Sequence, residues 1–226
     1  MPNAQRIVLI LIPLAYLMGA IPFGLVVGLL KGVDPRREGS GNIGATNVGR
    51  LLGGRYFALV FILDMLKGMI PMLAAGVVLR RGGTTLDCAS YLLWLAVGFA
   101  AIVGHMFSVF LRFKGGKGVA TSAGVMLGLF PYFTIPGLVA IGAFILIFMA
   151  TRYVSVASMS GAVIFPVAYV GIGVLRGWPI FQDQLPLLIF AVLIAVLIVY
   201  KHRANIARLR AGTESKFRKK AVRPAV

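Results

Sequence analysis

The sequence predicts an all-α polytopic membrane protein: seven transmembrane helices, one of them short, with the N-terminus outside and the C-terminus cytoplasmic. Three observations carry this expectation. The 226-residue chain is 59% hydrophobic, with a mean hydropathy of +0.93. Only 13% of its residues are charged, where a soluble domain carries about a quarter. Its basic residues gather in segments that separate the apolar runs.

The apolar runs justify the helices in order. Residues 7–30 form a run longer than a signal-peptide core and lack a small-x-small exit, so they read as a retained first span. Residues 56–79 and 91–110 are each long enough to cross a hydrocarbon core of about 20 residues. Residues 118–130 are not; they read as a half-length or tilted helix, or one starting from polar backbone buried in protein. Residues 132–150, 157–175 and 185–200 complete the set. If the fourth run does not cross, five or six spans remain. Pro13, Pro22, Pro71, Pro136 and Pro166 fall inside or near these runs, where neighbouring helices compensate the lost backbone bonds.

Loop charge sets the orientation. Lys31, Arg36, Arg37, Arg50 and Arg55 lie between runs one and two, Arg112, Lys114 and Lys117 between three and four, and Arg152 between five and six. A further basic cluster follows Tyr200. With seven spans all four segments share the cytoplasmic side. Arg80, Arg81 and Arg176 oppose the rule and are outnumbered. Residues 1–217 read as a single integral membrane domain, and 218–226 as a basic, flexible tail.

The net charge is +17, from 23 Lys and Arg against six acids. Nucleic acid is disfavoured as a partner because the cations flank membrane spans; anionic lipid headgroups and small phosphorylated molecules remain. Cys88 is the only cysteine, which rules out an internal disulfide. No carboxylate–histidine cluster has metal-ligand spacing, and no G-x-x-x-x-G-K-[ST] stretch exists. No metal, cofactor or obligatory protein partner is expected.

Three polar segments fall on the predicted cytoplasmic side. The first is GSGNIGATNVGR, residues 39–50. Its G-x-G-x-x-G spacing does not signal a dinucleotide site, since the neighbours are membrane helices and not a βαβ unit. The underlying physics still applies: Gly41 and Gly44 let backbone N–H groups converge on an anion at a helix N-terminus. Ser40, Asn42, Thr46 and Asn47 add short polar groups, and Arg50 a planar cation suited to phosphate. An ordinary Gly/Asn-rich turn is the plain alternative.

The second segment, residues 104–122, repeats the recipe around FKGGKG: flexible backbone, the ammonium groups of Lys114 and Lys117, then Thr121 and Ser122 opening the short helix. Membrane-flanking anchors are the alternative for either lysine alone. The third, YKHRANIARL at 200–209, places His202, Asn205 and Leu209 on one helix face; a basic helix lying on anionic lipid is its alternative. Asp64 and Lys67 stand one turn apart within a span and read as an intramembrane ion pair. The combined segments are rich in cations and donors and poor in protein bases. If chemistry occurs there, the base is His202, a substrate phosphate oxygen, or nothing strong.

Together these segments resemble the bacterial acyl-phosphate-dependent glycerol-3-phosphate acyltransferases, the PlsY family. The resemblance rests on GSGNIGATN from Gly39, GHM and FKGGKGVAT from Gly104 onward, and KHRANI from Lys201, and it extends over nearly the whole chain. It implies a seven-helix enzyme of the bacterial inner membrane with its site facing the cytoplasm. Such an enzyme moves a fatty acyl group from acyl phosphate to the 1-hydroxyl of glycerol 3-phosphate without metal or CoA. Neither His105 nor His202 is followed by an acid at the fourth or fifth position, so the H-x4-D dyad of CoA- and carrier-dependent acyltransferases is missing. Carried over by position, Ser40, Gly41, Asn42 and Gly44 would hold the acyl-phosphate phosphate with help from Thr46 and Asn47. Arg50, Lys117, Ser158, His202 and Asn205 would hold glycerol 3-phosphate. Lys117, His202 and Asn205 are the residues expected nearest the chemistry. Ser158 enters through the resemblance alone, with Ser155 the neighbouring choice. The rival from another class is a small-anion or phospholipid transporter, for which half-helix N-termini also suit an anion.

Overall fold

A computed structural model describes residues 3–82 and 86–217. Every regular element among them is helical. The tail 218–226 lies outside the described residues.

The first apolar run folds as two helices, α1 (Asn3–Ala20) and α2 (Phe23–Leu29), which together form one apolar stretch of 27 residues. Pro22 supplies no N–H, so the chain breaks there and frees two carbonyls. Both find donors on other elements: Ser108 Oγ donates to Ala20 O (2.6 Å) and Lys67 Nζ to Ile21 O (2.9 Å). A break at membrane depth survives only where such partners exist.

The glycine-rich loop leads into α3 (Ala45–Leu52), and Gly53, at φ +103, turns the chain into α4 (Gly54–Arg81). Asp87 caps α5 (Cys88–Met106) by accepting from Ser90 N–H at 2.9 Å. A 3-10 turn at Val109–Leu111 follows, then α6 (Val119–Gly128), α7 (Thr134–Thr151), α8 (Val154–Leu175), α9 (Leu185–Lys201) and α10 (Arg203–Arg210). Among the described residues five stretches are long and apolar enough to cross a membrane; α9 joins them if it is counted with α10, which bends away by 53°. The expected short run is the ten-residue α6, about 15 Å long and half a bilayer deep.

The helices pair closely as α1 with α5, α4 with α6 and α7 with α8. The α4–α6 pair matters most for the site. A Cβ at Gly68 would collide with the Thr121 carbonyl, and one at Gly124 with the Met65 carbonyl, so the two backbones touch through reciprocal glycines. Such small-residue contacts draw helices together where lipid offers no hydrophobic drive. At the far end Trp94 donates to Met72 O (2.8 Å), and Tyr169 donates to Gln184 Oε1 (3.0 Å) beside Trp178.

Candidate active site

One end of the bundle holds a small polar cavity of about 90 Å3. Its walls come from the glycine-rich loop and α3, the first turns of α4, α6 and α8, the last turns of α5 and α7, and α10 with the segment after it. Distant parts of the chain thus meet at one place.

The first loop is built from within. Asn42 Oδ1 accepts from Gly44 N–H at 2.8 Å, a turn that delivers Gly44 as the residue before α3. Asn47 is buried and fully used: Oδ1 accepts from Ser40 N–H (2.9 Å), and Nδ2 donates to Pro35 O (2.9 Å) and Glu38 O (3.0 Å). Asn47 lines the cavity and is at the same time a strut for the loop, with both amide N–H groups donated to backbone. Gly41 departs from expectation. It sits at φ +67, exposed, donates to Glu38 O and does not line the cavity; its part is to turn the loop. Ser40, Asn42, Gly44, Thr46 and Arg50 do line it. Arg50 Nη2 donates to Ser215 O (2.6 Å), while its Nε is buried with no protein partner among the described residues.

The second loop folds back on the end of α5: Gly116 N–H donates to His105 O (3.0 Å) and Gly115 N–H to Met106 O (3.2 Å). A Cβ at Gly116 would collide with the His105 ring, so only glycine allows this approach. The fold-back turns Lys117 into the cavity and leaves Lys114 exposed outside it. The expectation that both ammonium groups serve the site holds geometrically for Lys117 only. Burial pushes the Lys117 ammonium down to about 8.

Lys117 Nζ donates to Asn205 Oδ1, and Asn205 Nδ2 donates to Glu214 Oε1 (2.6 Å). Glu214 also accepts from Ser155 Oγ (2.8 Å) and from Arg208 Nε (2.7 Å). Burial alone would raise this carboxyl, but the Asn205, Arg208 and Ser155 bonds bring it below its usual range. Ser158 lines the cavity with its hydroxyl donated back to Val154 O (2.8 Å). His202, between α9 and α10 and beyond the span, is buried with Nδ1 at 2.8 Å from Ile198 O. A carbonyl can only accept, so Nδ1 carries the proton and Nε2 keeps a lone pair. Burial and the Lys117 charge push this imidazole down to about 4, so it is neutral near pH 7.

Four ionisable side chains lining the cavity were not anticipated there: Asp64, His105, Arg208 and Glu214. The site is less poor in carboxylates than the sequence suggested. The ion pair of Asp64 with Lys67 is present at 2.7 Å, and His105 Nδ1 stands 3.7 Å from Asp64 Oδ1. Glu214 carries a faint signal only, as the one acid in a strongly basic terminal stretch.

The polar cavity adjoins an apolar groove of about 310 Å3 running between α4, α6, α7, α8 and α9. The two share Phe61, Val119, Phe144 and Ser158. A cation-lined cavity joined to an apolar groove, on an integral membrane helix bundle, defines a class of membrane protein whose site is chemically suited to an anion with a long apolar tail. The chain matches the glycerol-3-phosphate acyltransferase family model over residues 9–212 and belongs to that family. Among its relatives, the glycerol-3-phosphate acyltransferase of Solidesulfovibrio magneticus is 45% identical over 213 residues, 94% of this chain and 96% of the relative. That of Aquifex aeolicus is 44% identical over 213 residues, 92% of this chain and 98% of the relative. Two crystal structures of PlsY, an integral membrane glycerol 3-phosphate acyltransferase, share the fold. The glycerol 3-phosphate form has a TM-score of 0.78 at 42% identity, covering 93% of this chain and 96% of that one. The lysophosphatidic acid form has a TM-score of 0.76 at 41% identity, covering 93% and 95%.

Proposed function

We propose that this acyltransferase moves a fatty acyl group from acyl phosphate to the 1-hydroxyl of glycerol 3-phosphate, giving lysophosphatidic acid and inorganic phosphate. The observation that carries the reading is the continuity of the cation-lined cavity with the apolar groove. Such a site takes a phosphate at one end and a hydrocarbon chain at the other. Lysophosphatidic acid, the ligand of the second PlsY structure, has that shape. The basic loops that carry the site support a position at the cytoplasmic face of the bacterial inner membrane, by the bias of Lys and Arg towards that side.

The mechanism follows from the groups present. Arg50 Nε and Lys117 neutralise phosphate charge, and Ser40, Thr46 and the N–H groups opening α3 and α6 add donors. Bringing two anions together in productive geometry removes about 7–11 kcal/mol of barrier in favourable cases. The alcohol oxygen attacks the acyl carbonyl carbon, and the bond from that carbon to the bridging oxygen breaks. An imidazole held near 4 is too weak to take the proton outright. His202 Nε2 accepts a hydrogen bond that aims the hydroxyl, and the proton leaves on the released phosphate. Asn205, clamped between Lys117 and Glu214, fixes the ammonium position.

The test uses purified protein in detergent with long-chain acyl phosphate and glycerol 3-phosphate. Stoichiometric release of phosphate and lysophosphatidic acid is expected, with no product from acyl-CoA. Turnover with acyl-CoA alone would remove acyl phosphate as donor. Anion flux across vesicles without turnover in detergent would favour a transporter.

A further inference from the structure

Ser122 is 2% exposed and lines the apolar groove, yet its Oγ has no hydrogen-bond partner among the described residues. A serine on a helix normally returns its hydroxyl to the carbonyl one turn back, as Ser158 does to Val154. A free hydroxyl facing hydrocarbon carries a desolvation cost unless something polar reaches it.

The position identifies what reaches it. Val119, the first residue of α6, belongs to both the polar cavity and the groove. Ser122 lies three residues further on the same helix face, about 4.5 Å deeper. Beyond it the α6 wall of the groove is Ala123, Met126 and Leu127. A phosphate held at Lys117 and the N-terminus of α6 leaves its acyl carbonyl one bridging oxygen away, at the depth of Ser122, with the chain continuing past Met126. This rests on the acyl-phosphate reading above.

We infer that Ser122 is a further catalytic residue, whose hydroxyl donates to the carbonyl oxygen of the acyl donor and to the oxyanion formed there. In the step, the glycerol 3-phosphate oxygen bonds to the carbonyl carbon and the bond to the bridging oxygen breaks. The alcohol proton departs on phosphate. The Ser122 proton stays on Oγ throughout.

The experiment compares wild type with Ser122→Ala and with Thr121→Val. Thr121 is equally buried, but it lines neither the cavity nor the groove. Two inhibitors of equal chain length are used: an acylphosphonate, which keeps the carbonyl but cannot transfer it, and an alkylphosphonate, which lacks it. Ser122→Ala is expected to lower kcat about 10- to 100-fold with KM for glycerol 3-phosphate unchanged. It should weaken the acylphosphonate about tenfold while leaving the alkylphosphonate within about twofold. Thr121→Val should keep the wild-type ratio of the two affinities. Equal changes for both inhibitors with Ser122→Ala, or none for either, would overturn the assignment while wild-type turnover keeps the reaction intact. A wild type that forms no product from acyl phosphate overturns both.

Discussion

Lys117 reports on its surroundings through its titration. Its ammonium is lowered to about 8 by burial, and the Glu214 charge pulls it back upward. The cation is therefore fully present below that pH and lost as pH rises through it. KM for glycerol 3-phosphate should climb above about pH 8, as initial rates across a pH series would reveal. Glu214→Gln removes the supporting charge, so the same rise should begin at lower pH. Lys117→Ala should raise KM at neutral pH about tenfold or more, the worth of a charge-assisted hydrogen bond, and abolish the alkaline rise. A KM flat with pH in the wild type would remove Lys117 from phosphate binding. At this scale the sequence was partly legible. The residue types of Arg50, Lys117, His202 and Asn205 announced an anion site, and all four line one cavity. The structural use of Asn47 was not legible, because its partners are backbone atoms of Pro35, Glu38 and Ser40 that only the folded loop brings near.

Two elements set the depth and aim of the site. The break at Pro22 depends on Lys67, which is tied at once to Asp64 and to the Ile21 carbonyl. Helical spacing revealed the first partner; the second requires knowing that α1 stops at Ala20. Lys67→Met leaves the buried Asp64 carboxylate without its cation and strips the Ile21 carbonyl of one of its two donors, the other being Phe23 N–H (3.1 Å). It should cost about 3–5 kcal/mol, the usual loss when one partner of a buried pair is removed. Asp64→Asn together with Lys67→Met should recover part of that loss. Thermal unfolding in one detergent would compare them, and a double variant no more stable than Lys67→Met alone would count against the pair. The α4–α6 contact is the second element. Gly124→Val would drive α6 from the Met65 carbonyl and shift the turn that presents Lys117. Activity should fall far more than the amount of folded protein, as the ratio of kcat to monodisperse yield would show. The short length of α6 was evident in the sequence. Its close seat on α4 was not, because a glycine in an apolar run looks the same whether it faces lipid or another backbone.

For the whole molecule, the apolar runs were enough to mark the helices, since each must satisfy its own backbone in lipid. Their mutual arrangement was not, because lipid-facing and helix-facing residues are equally apolar. The closing segment after α10 was likewise hidden. Ser215 O meets Arg50, Glu214 gathers three donors, and Phe217 packs against Phe57 (5.3 Å) and Phe148 (6.0 Å). Truncation after Arg210 should abolish activity, whereas truncation after Phe217 should leave kcat within about twofold. Loss of turnover in the variant ending at Phe217 would assign residues 218–226 a part in the enzyme.

The joined cavity and groove also govern where things go after reaction. In the proposed reaction inorganic phosphate would be shed to water, whereas the new amphiphile would already have its tail in a hydrocarbon slot and slip sideways into the leaflet. Each solvent would drain one product, so turnover would be drawn forward by partition as well as by cleavage of the anhydride bond.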